Sequence, residues 1–277
     1  MHVHYCIPLK DIQLVRQQFK EQNRLLMKTY RSHGMYSCSV DEFESNVSKF
    51  FTQTNAYHLI ETLKEPNSFG TATYLADLVN AVKTMLDHLV QQQSINSKQR
   101  ECMQTGRCSV QSDYLFFLPD TRKNGFTLQP MMVSSTSPFA NMSQFVNDLL
   151  QPIYRQFASN TSYFKGADAI RALEQYQKQN YLRSTTIFAT LHIHPILTVF
   201  DHEHAIQTLE RFLNGRTTAE QMRGISISTI LRLVRLVLEQ QWFIYDGKVY
   251  KQVRVGSCDS PLIVFLANLI LFDWEQE

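Results

Sequence analysis

The histidines of this chain offer the first chemistry to consider. His192 and His194 form one His-x-His element, and His202 and His204 form a second one ten residues later. On a β-strand, residues two apart point to the same face, so His192 and His194 could hold one metal ion. That pattern is typical of metal-dependent hydrolases, although the sequence places no acidic third ligand. The alternative is that they are structural histidines, each bonded through a ring nitrogen to a backbone carbonyl.

Other catalytic motifs are missing from the sequence. It contains no Gly-x-Ser-x-Gly nucleophile motif and no Gly-rich phosphate loop ending in Gly-Lys-Ser or Gly-Lys-Thr. Cys258 has no base implied beside it, so a nucleophilic enzyme is not indicated. Cys102 and Cys108 are spaced more widely than the usual zinc ligands, and no second pair complements them. The five scattered cysteines favour reduced thiols. The first residues, MHVHYCIPLK, lack the pattern of a secretory signal, so an intracellular protein is expected.

Residues 1–110 are predicted to form a helical N-terminal region. Apolar residues recur at helical spacing from about Lys10 to Tyr30, and Asp41 is placed to cap a second helix. A third helix is expected over about Thr71–Val90. The polar tract Gln91–Gln104 follows it and marks the expected boundary with a second domain.

Residues 111–277 are predicted to alternate strands and helices, which gives an α+β fold with a small antiparallel sheet. Tyr114–Leu118 and Met131–Ser134 indicate a first hairpin. A second one is expected around Asp246-Gly247, because both central positions of a type I′ turn need positive φ. Thr185–His194, rich in β-branched and apolar residues, is expected to be a buried strand. The remaining helices are expected after caps at Ser143, Asp201 and Ser226, over Gly166–Asn180, and over Ser260–Trp274.

Five blocks of residues in this second region occur in an informative order. Phe117–Lys123 and Gln129–Met131 are followed by Thr190–Ile206, then by Phe243–Gln252 and Ser260–Asn268. Together they resemble the fingers patterns, motif A and motif B of Penelope-like retroelement reverse transcriptases. In that family the fingers read Leu-Pro-Lys-x-His-Lys and Arg-Pro-Ile, and motif B contains Gly-Ser-Pro-Leu-Ser-Pro-x-Leu-Ala-Asn. The alternative is an αβ domain that matches by chance.

The resemblance implies a partial right-hand polymerase fold. Residues 111–277 would be the fingers and front palm, and residues 1–110 would correspond to the family's N-terminal extension. The family's second acidic motif, an Asp-Asp pair on a hairpin, would lie beyond Glu277. We therefore expect a truncated palm, with self-association through its uncovered edge.

The same resemblance implies that polymerase chemistry has been lost. The family's polymerases use metal ions held by carboxylates, but His192 stands at the motif A aspartate, where an imidazole does not replace an anionic ligand of magnesium. The nucleotide clamp is degenerate too, since Asp120 replaces a lysine and Gln129 an arginine. No catalytic residue and no cofactor are therefore expected. Magnesium enters only in the alternative of an active polymerase completed by a longer product or a second chain.

Residual nucleic-acid binding is the remaining function implied by the resemblance. Residues 111–277 carry as many acidic as basic side chains, so we expect weak binding of RNA or single-stranded DNA. The alternative for each candidate is a solvated charge or a turn residue. No membrane association is expected, because the longest apolar stretch, Pro261–Phe272, is too short to span a bilayer. The candidate contacts are Lys123, Lys251, Gln252, Arg254, Ser260 and Pro261.

Overall fold

The computed structural model describes most of the chain, and the described part forms nine helices and seven strands. The described residues are 9–32, 34–62, 69–105, 110–121, 127–190, 200–218, 220–254, 256–257 and 259–276. The helices are α1 (Leu9–Glu21), α2 (Val40–Thr54), α3 (Phe69–Gln91), α4 (Ser97–Met103), α5 (Ala140–Ala158), α6 (Gly166–Lys178), α7 (His202–Leu213), α8 (Ile227–Glu239) and α9 (Pro261–Gln276). The strands are β1 (Arg24–Lys28), β2 (Met35–Ser39), β3 (Tyr57–Thr62), β4 (Asp113–Pro119), β5 (Leu128–Val133), β6 (Trp242–Tyr245) and β7 (Lys248–Gln252).

Local sequence signals set several of these boundaries. Asp201 accepts a hydrogen bond from the His204 amide at 2.7 Å and Ser226 accepts one from the Thr229 amide, which confirms both predicted N-caps. The predicted hairpin turn is also confirmed: Asp246 and Gly247 have φ of 47° and 66° and join β6 to β7. Type I′ geometry is the reason that this dipeptide occurs there.

The helical prediction for the N-terminal region is partly wrong. The helix expected over Lys10–Tyr30 ends at Glu21, and the left-handed backbone of Asn23, with φ of 52°, turns the chain into strand β1. Strands β1 and β2 then pair as a separate antiparallel ribbon. The cap of α2 is Ser39 rather than Asp41, because the Ser39 hydroxyl accepts the Glu42 amide hydrogen.

Two predictions in the second region also need correction. Thr185–Thr190, the described part of the expected buried strand, has no strand structure, and Ile187 and Phe188 are 89% and 67% exposed. The segment starts within a turn, in which the Thr186 amide donates a hydrogen bond to the Arg183 carbonyl. Helix α5 begins at Ala140, three residues before the expected cap Ser143, and continues through Pro152.

The five-stranded sheet has the order β3-β7-β6-β4-β5. Its strands are antiparallel except for the parallel pair β4 and β6, in which Tyr114 lies opposite Ile244. The mixed α/β class is therefore confirmed. Helix α2 covers one face of the sheet, where Phe50 and Phe51 contact the rings of Phe117 and Tyr250.

The larger core is made by helices. Buried residues of α3, α5, α7, α8 and α9 form one cluster, in which Leu86, Leu150 and Leu233 are fully inaccessible to solvent. Burying each such side chain contributes about 1.5–3 kcal/mol. Sheet and core both draw on residues from either side of residue 110, since β3 pairs with β7 and α3 packs in this cluster. Among the described helices, none combines the length and the apolar character needed to cross a bilayer.

Candidate functional site

Three of the predicted site residues lie outside the described part of the chain. These are His192 and His194, which were predicted for the motif A position and the alternative metal site, and Lys123, a predicted nucleic-acid contact. In the second His-x-His element, His204 is exposed on α7 and stacks on Phe200 with ring centroids 5.4 Å apart. Within the described ranges, no three His, Cys, Asp or Glu side chains are grouped so that they could hold a metal ion.

Asp120 and Gln129, the two residues predicted to mark a degenerate nucleotide clamp, lie at the turn end of the β4–β5 hairpin. Asp120 follows β4 and is only 3% exposed, and its backbone exchanges hydrogen bonds with Thr127. Gln129 lies on β5 opposite Leu118. The opposite end of β4 begins at Asp113, about 20 Å away at the usual rise per strand residue.

Lys251, Gln252 and Arg254 lie on and after β7, where they have different environments. The Lys251 ammonium is 5.2 Å from the centre of the Trp242 ring, a cation-π distance. Gln252 is buried, and its side-chain amide donates to the Arg254 carbonyl at 2.9 Å. Arg254 forms an isolated antiparallel bridge with Asp201. Lys251 is therefore accessible to a ligand in a way that Gln252 is not.

Ser260 and Pro261 begin helix α9 and hold it against α5. The hydroxyls of Ser260 and Ser143 are 2.7 Å apart, and the Ser143 hydroxyl also accepts the Leu262 amide hydrogen at 3.3 Å. Proline is well suited to the first position of a helix, where its missing N–H would have no intrahelical partner. Ser143, expected to cap its own helix, instead bonds to the first turn of α9.

Ser260 and Pro261 also line a cavity of about 250 Å³, which we call the Asp113 cavity. It lies between the start of β4, the turn from β5 to α5, the end of α8 and the start of α9. Its polar residues are Asp113, Ser134, Ser135, Ser137, Asn141, Ser143, Gln144, Gln240, Gln241, Ser257, Asp259 and Ser260, and its apolar residues are Phe139, Ala140, Val237 and Pro261.

Two carboxyl groups in this cavity have opposite environments. Asp259 accepts hydrogen bonds from the backbone amides of Ser134 and Ser135 at 3.3 and 3.1 Å. In Asp113, burial raises the pKa of the carboxyl group to about 7; a hydrogen bond from Ser137 lowers it, and the charge of Asp259 raises it further. Oδ1 of Asp113 is buried and has no hydrogen-bond partner among the described residues.

Serine hydroxyls connect the walls of the cavity. The Ser134 hydroxyl donates to the Ser257 hydroxyl at 3.0 Å, and Ser257 also accepts the Asp259 amide hydrogen at 3.2 Å. These bonds tie the turn after β5 to the loop before α9, two segments more than 120 residues apart in sequence. The loop that carries Asp259 is thus fixed by the turn that follows the β4–β5 hairpin.

Comparison with protein-family models finds no matching family. A search of curated proteins likewise finds no significant match.

Sequence reasoning predicted a role for Ser260 and Pro261 but missed Asp113. Its signal in the sequence is weak: an acidic residue directly before an apolar strand, which resembles an ordinary solvated strand end. The serines at 134, 135 and 137 form a visible run, yet serine runs are common in turns. Only the pairing of β4 with β6 and the position of α9 show that these residues share one cavity.

Proposed function

We propose that this protein is a reverse-transcriptase-like fingers and palm domain that binds single-stranded nucleic acid and lacks polymerase activity. The observation that carries the proposal is that the blocks within residues 117–131 and those within residues 243–268 lie side by side, although they are far apart in sequence. The fingers hairpin β4–β5 and the motif B hairpin β6–β7 are neighbours in one sheet. The loop preceding the Ser-Pro-Leu of motif B bonds to the turn that follows β5.

The residue types at the family's chemical positions support the lack of polymerase activity. His192 occupies the motif A position where a carboxylate would bind magnesium. Asp120 stands where a lysine would contact a triphosphate, and it is buried instead of facing an open cleft. Asp259 replaces a glycine in motif B, so a charged side chain occupies a place where backbone would approach the nucleic acid. The residues of this chain therefore do not fit a two-metal polymerase site.

The sheet face opposite α2 supports nucleic-acid binding, and we call it the platform. The register places His58, Lys251 and Trp242 in one row across β3, β7 and β6. Tyr114 on β4 shares this face because it lies opposite Ile244, two residues after Trp242. Its side chain is 47% exposed, and its ring is 6.2 Å from that of Phe116.

Aromatic rings with an adjacent cation are the usual elements of a single-strand binding surface. Bases stack on the rings and cations contact phosphates, which gives affinity with little sequence preference. Because the platform offers few cations and the wider region has none in excess, binding should be weak and sensitive to salt.

The activity part of the proposal is tested by primer extension. The purified protein is given magnesium or manganese, a primed RNA template and deoxynucleotides, and we expect no extension. Extension by this chain alone would disprove the proposal, whereas extension only after adding a downstream segment would favour the alternative of a polymerase completed by another product.

The His-x-His hydrolase alternative has its own test. It requires one tightly bound zinc per chain that is lost in both His192→Ala and His194→Ala. Purified protein without stoichiometric metal would exclude it.

The binding part is tested by fluorescence anisotropy with a labelled oligouridine. Lys251→Ala should weaken binding and reduce the slope of log affinity against log salt by about 0.7, the value for one single-strand phosphate contact. Tyr114→Ala should weaken binding at least fivefold, since losing one stacked base costs about 1–3 kcal/mol. Lys178→Ala, which removes a cation from the exposed end of α6, is the matched control and should bind as the parent does. Equal effects of Lys251→Ala and Lys178→Ala would rule out the platform.

A further inference from the structure

The Asp113 cavity has a charge pattern that the proposed platform does not use. Two carboxyl groups face it, and none of its lining residues is a lysine, arginine or histidine. Neither Asp113 nor Asp259 takes part in an ion pair within the described ranges. Such a cavity repels phosphates and favours a cation.

The buried oxygen of Asp113 points to a ligand that donates hydrogen bonds. Asp113 lines the cavity, and its Oδ1 is shielded from solvent and lacks a donor in the described structure. Leaving a buried acceptor without a partner is unfavourable, and more so when the group is charged. A donor that enters the cavity would remove this penalty, which a purely apolar ligand would leave unchanged.

We propose that the Asp113 cavity binds a guanidinium group carried on an aliphatic chain, as in an arginine side chain or agmatine. A guanidinium is planar and presents several N–H donors, so it can bond to the Asp113 carboxyl group and to the surrounding serine hydroxyls together. The methylene groups find apolar contacts on Phe139, Val237 and Pro261. A divalent metal fits less well, because only two carboxyl groups line the cavity.

Protonation of Asp113 couples this binding to pH. Its carboxyl group has a pKa of about 7 in the free protein, and a bound cation favours the ionised form. Asp259, on the loop before α9, is the titratable group that faces it. The turn from β5, the end of α8 and the adjoining α3 present serines, glutamines and leucines. Affinity should therefore rise about tenfold from pH 6 to pH 8, where a group with this pKa changes from mostly protonated to mostly ionised.

Titration calorimetry of the full chain tests the inference with four probes. Agmatine should bind at pH 8, and cadaverine, an ammonium on a similar chain, should bind several-fold more weakly. A Gly-Arg-Gly peptide with blocked ends separates the two sources of the group. Binding of agmatine alone indicates a free small molecule, and tighter binding of the peptide indicates an arginine of a protein segment. The inference would be overturned if neither agmatine nor the peptide binds. Guanosine is the fourth probe, and the inference would also be overturned if guanosine binds more tightly than agmatine and the peptide.

Variants identify the site and separate it from the platform. Asp113→Asn should weaken agmatine binding at pH 8 by tenfold or more and remove the difference between pH 6 and pH 8. Asp168→Asn, on exposed α6, is the matched control and should leave both the affinity and the pH dependence unchanged. A pH dependence that persists in Asp113→Asn would refute the role of this group. Lys251→Ala should bind agmatine normally, so failure of the platform and failure of the cavity are distinguishable.

Discussion

Replacing Asp113 by asparagine is expected to stabilise the protein above neutral pH. In the folded state, burial raises the pKa of this carboxyl group from 3.8 to about 7. Between these two values the folded protein holds a proton that the unfolded chain releases. The favourable contribution of the protonated group is thus complete below pH 3.8 and is lost as the pH rises through 7.

The size of the effect follows from the width of that pH window. Each pH unit between the unfolded and folded pKa changes the free energy of unfolding by 1.36 kcal/mol, so the window of about three units corresponds to roughly 4 kcal/mol. Asparagine keeps the shape of the side chain and is neutral at every pH. The stability of Asp113→Asn relative to the parent should therefore increase by up to roughly 4 kcal/mol from pH 4 to pH 8 and then level off.

Urea unfolding followed by tryptophan fluorescence measures this difference at a series of pH values. Other titrating groups are common to both proteins and cancel when the two curves are subtracted. Asp168→Asn, on exposed α6, should track the parent curve throughout, because an exposed carboxylate contributes little. Parallel curves for the parent and Asp113→Asn would show that the carboxyl group is solvated in the folded state and would refute the reasoning.

Two further changes test the contacts that assemble the fold. Ser143→Ala removes the hydroxyl that bonds Ser260 and the Leu262 amide, so it should lower the free energy of unfolding by about 1–2 kcal/mol in the same urea assay. Ser45→Ala, on the exposed side of α2, is the control, and equal losses would contradict an interhelical role. Ile60→Lys places a charge on edge strand β3, where Ile60 is 51% exposed, and should reduce self-association measured by analytical ultracentrifugation. Unchanged sedimentation of an associating parent would show that β3 is not the contact.

Short-range signals in the sequence predicted the elements that depend only on neighbouring residues. The Asp246-Gly247 turn and the caps at Asp201 and Ser226 occur as expected, because positive φ and a side chain bonded to a nearby amide are local requirements. The same reasoning failed where tertiary pairing decides. The sequence of strand β1, Arg-Leu-Leu-Met-Lys, does not alternate polar and apolar residues, and the strand forms because β2 supplies its hydrogen bonds.

The buried strand expected over Thr185–His194 shows the opposite error. Its described residues, through Thr190, have the β-branched and apolar composition of a strand, yet Ile187 and Phe188 are largely exposed. Strand preference expresses how well a side chain fits a partly buried pleated surface, and here the described residues belong to no ladder. For residues 185–190, composition therefore predicted a strand that pairs with none of the described strands.

The sequence by itself determined the mixed α/β class, most helices, both hairpins and the residue types at each family-like position. Only the tertiary structure decided which of these residues meet. Asp113 and Asp259 face one cavity because β4 pairs with β6 and because Ser143 and Ser260 hold α9 against α5. A carboxyl group acquires an unusual pKa through burial and neighbouring charge, and both are properties of the folded chain that no local pattern of residues encodes.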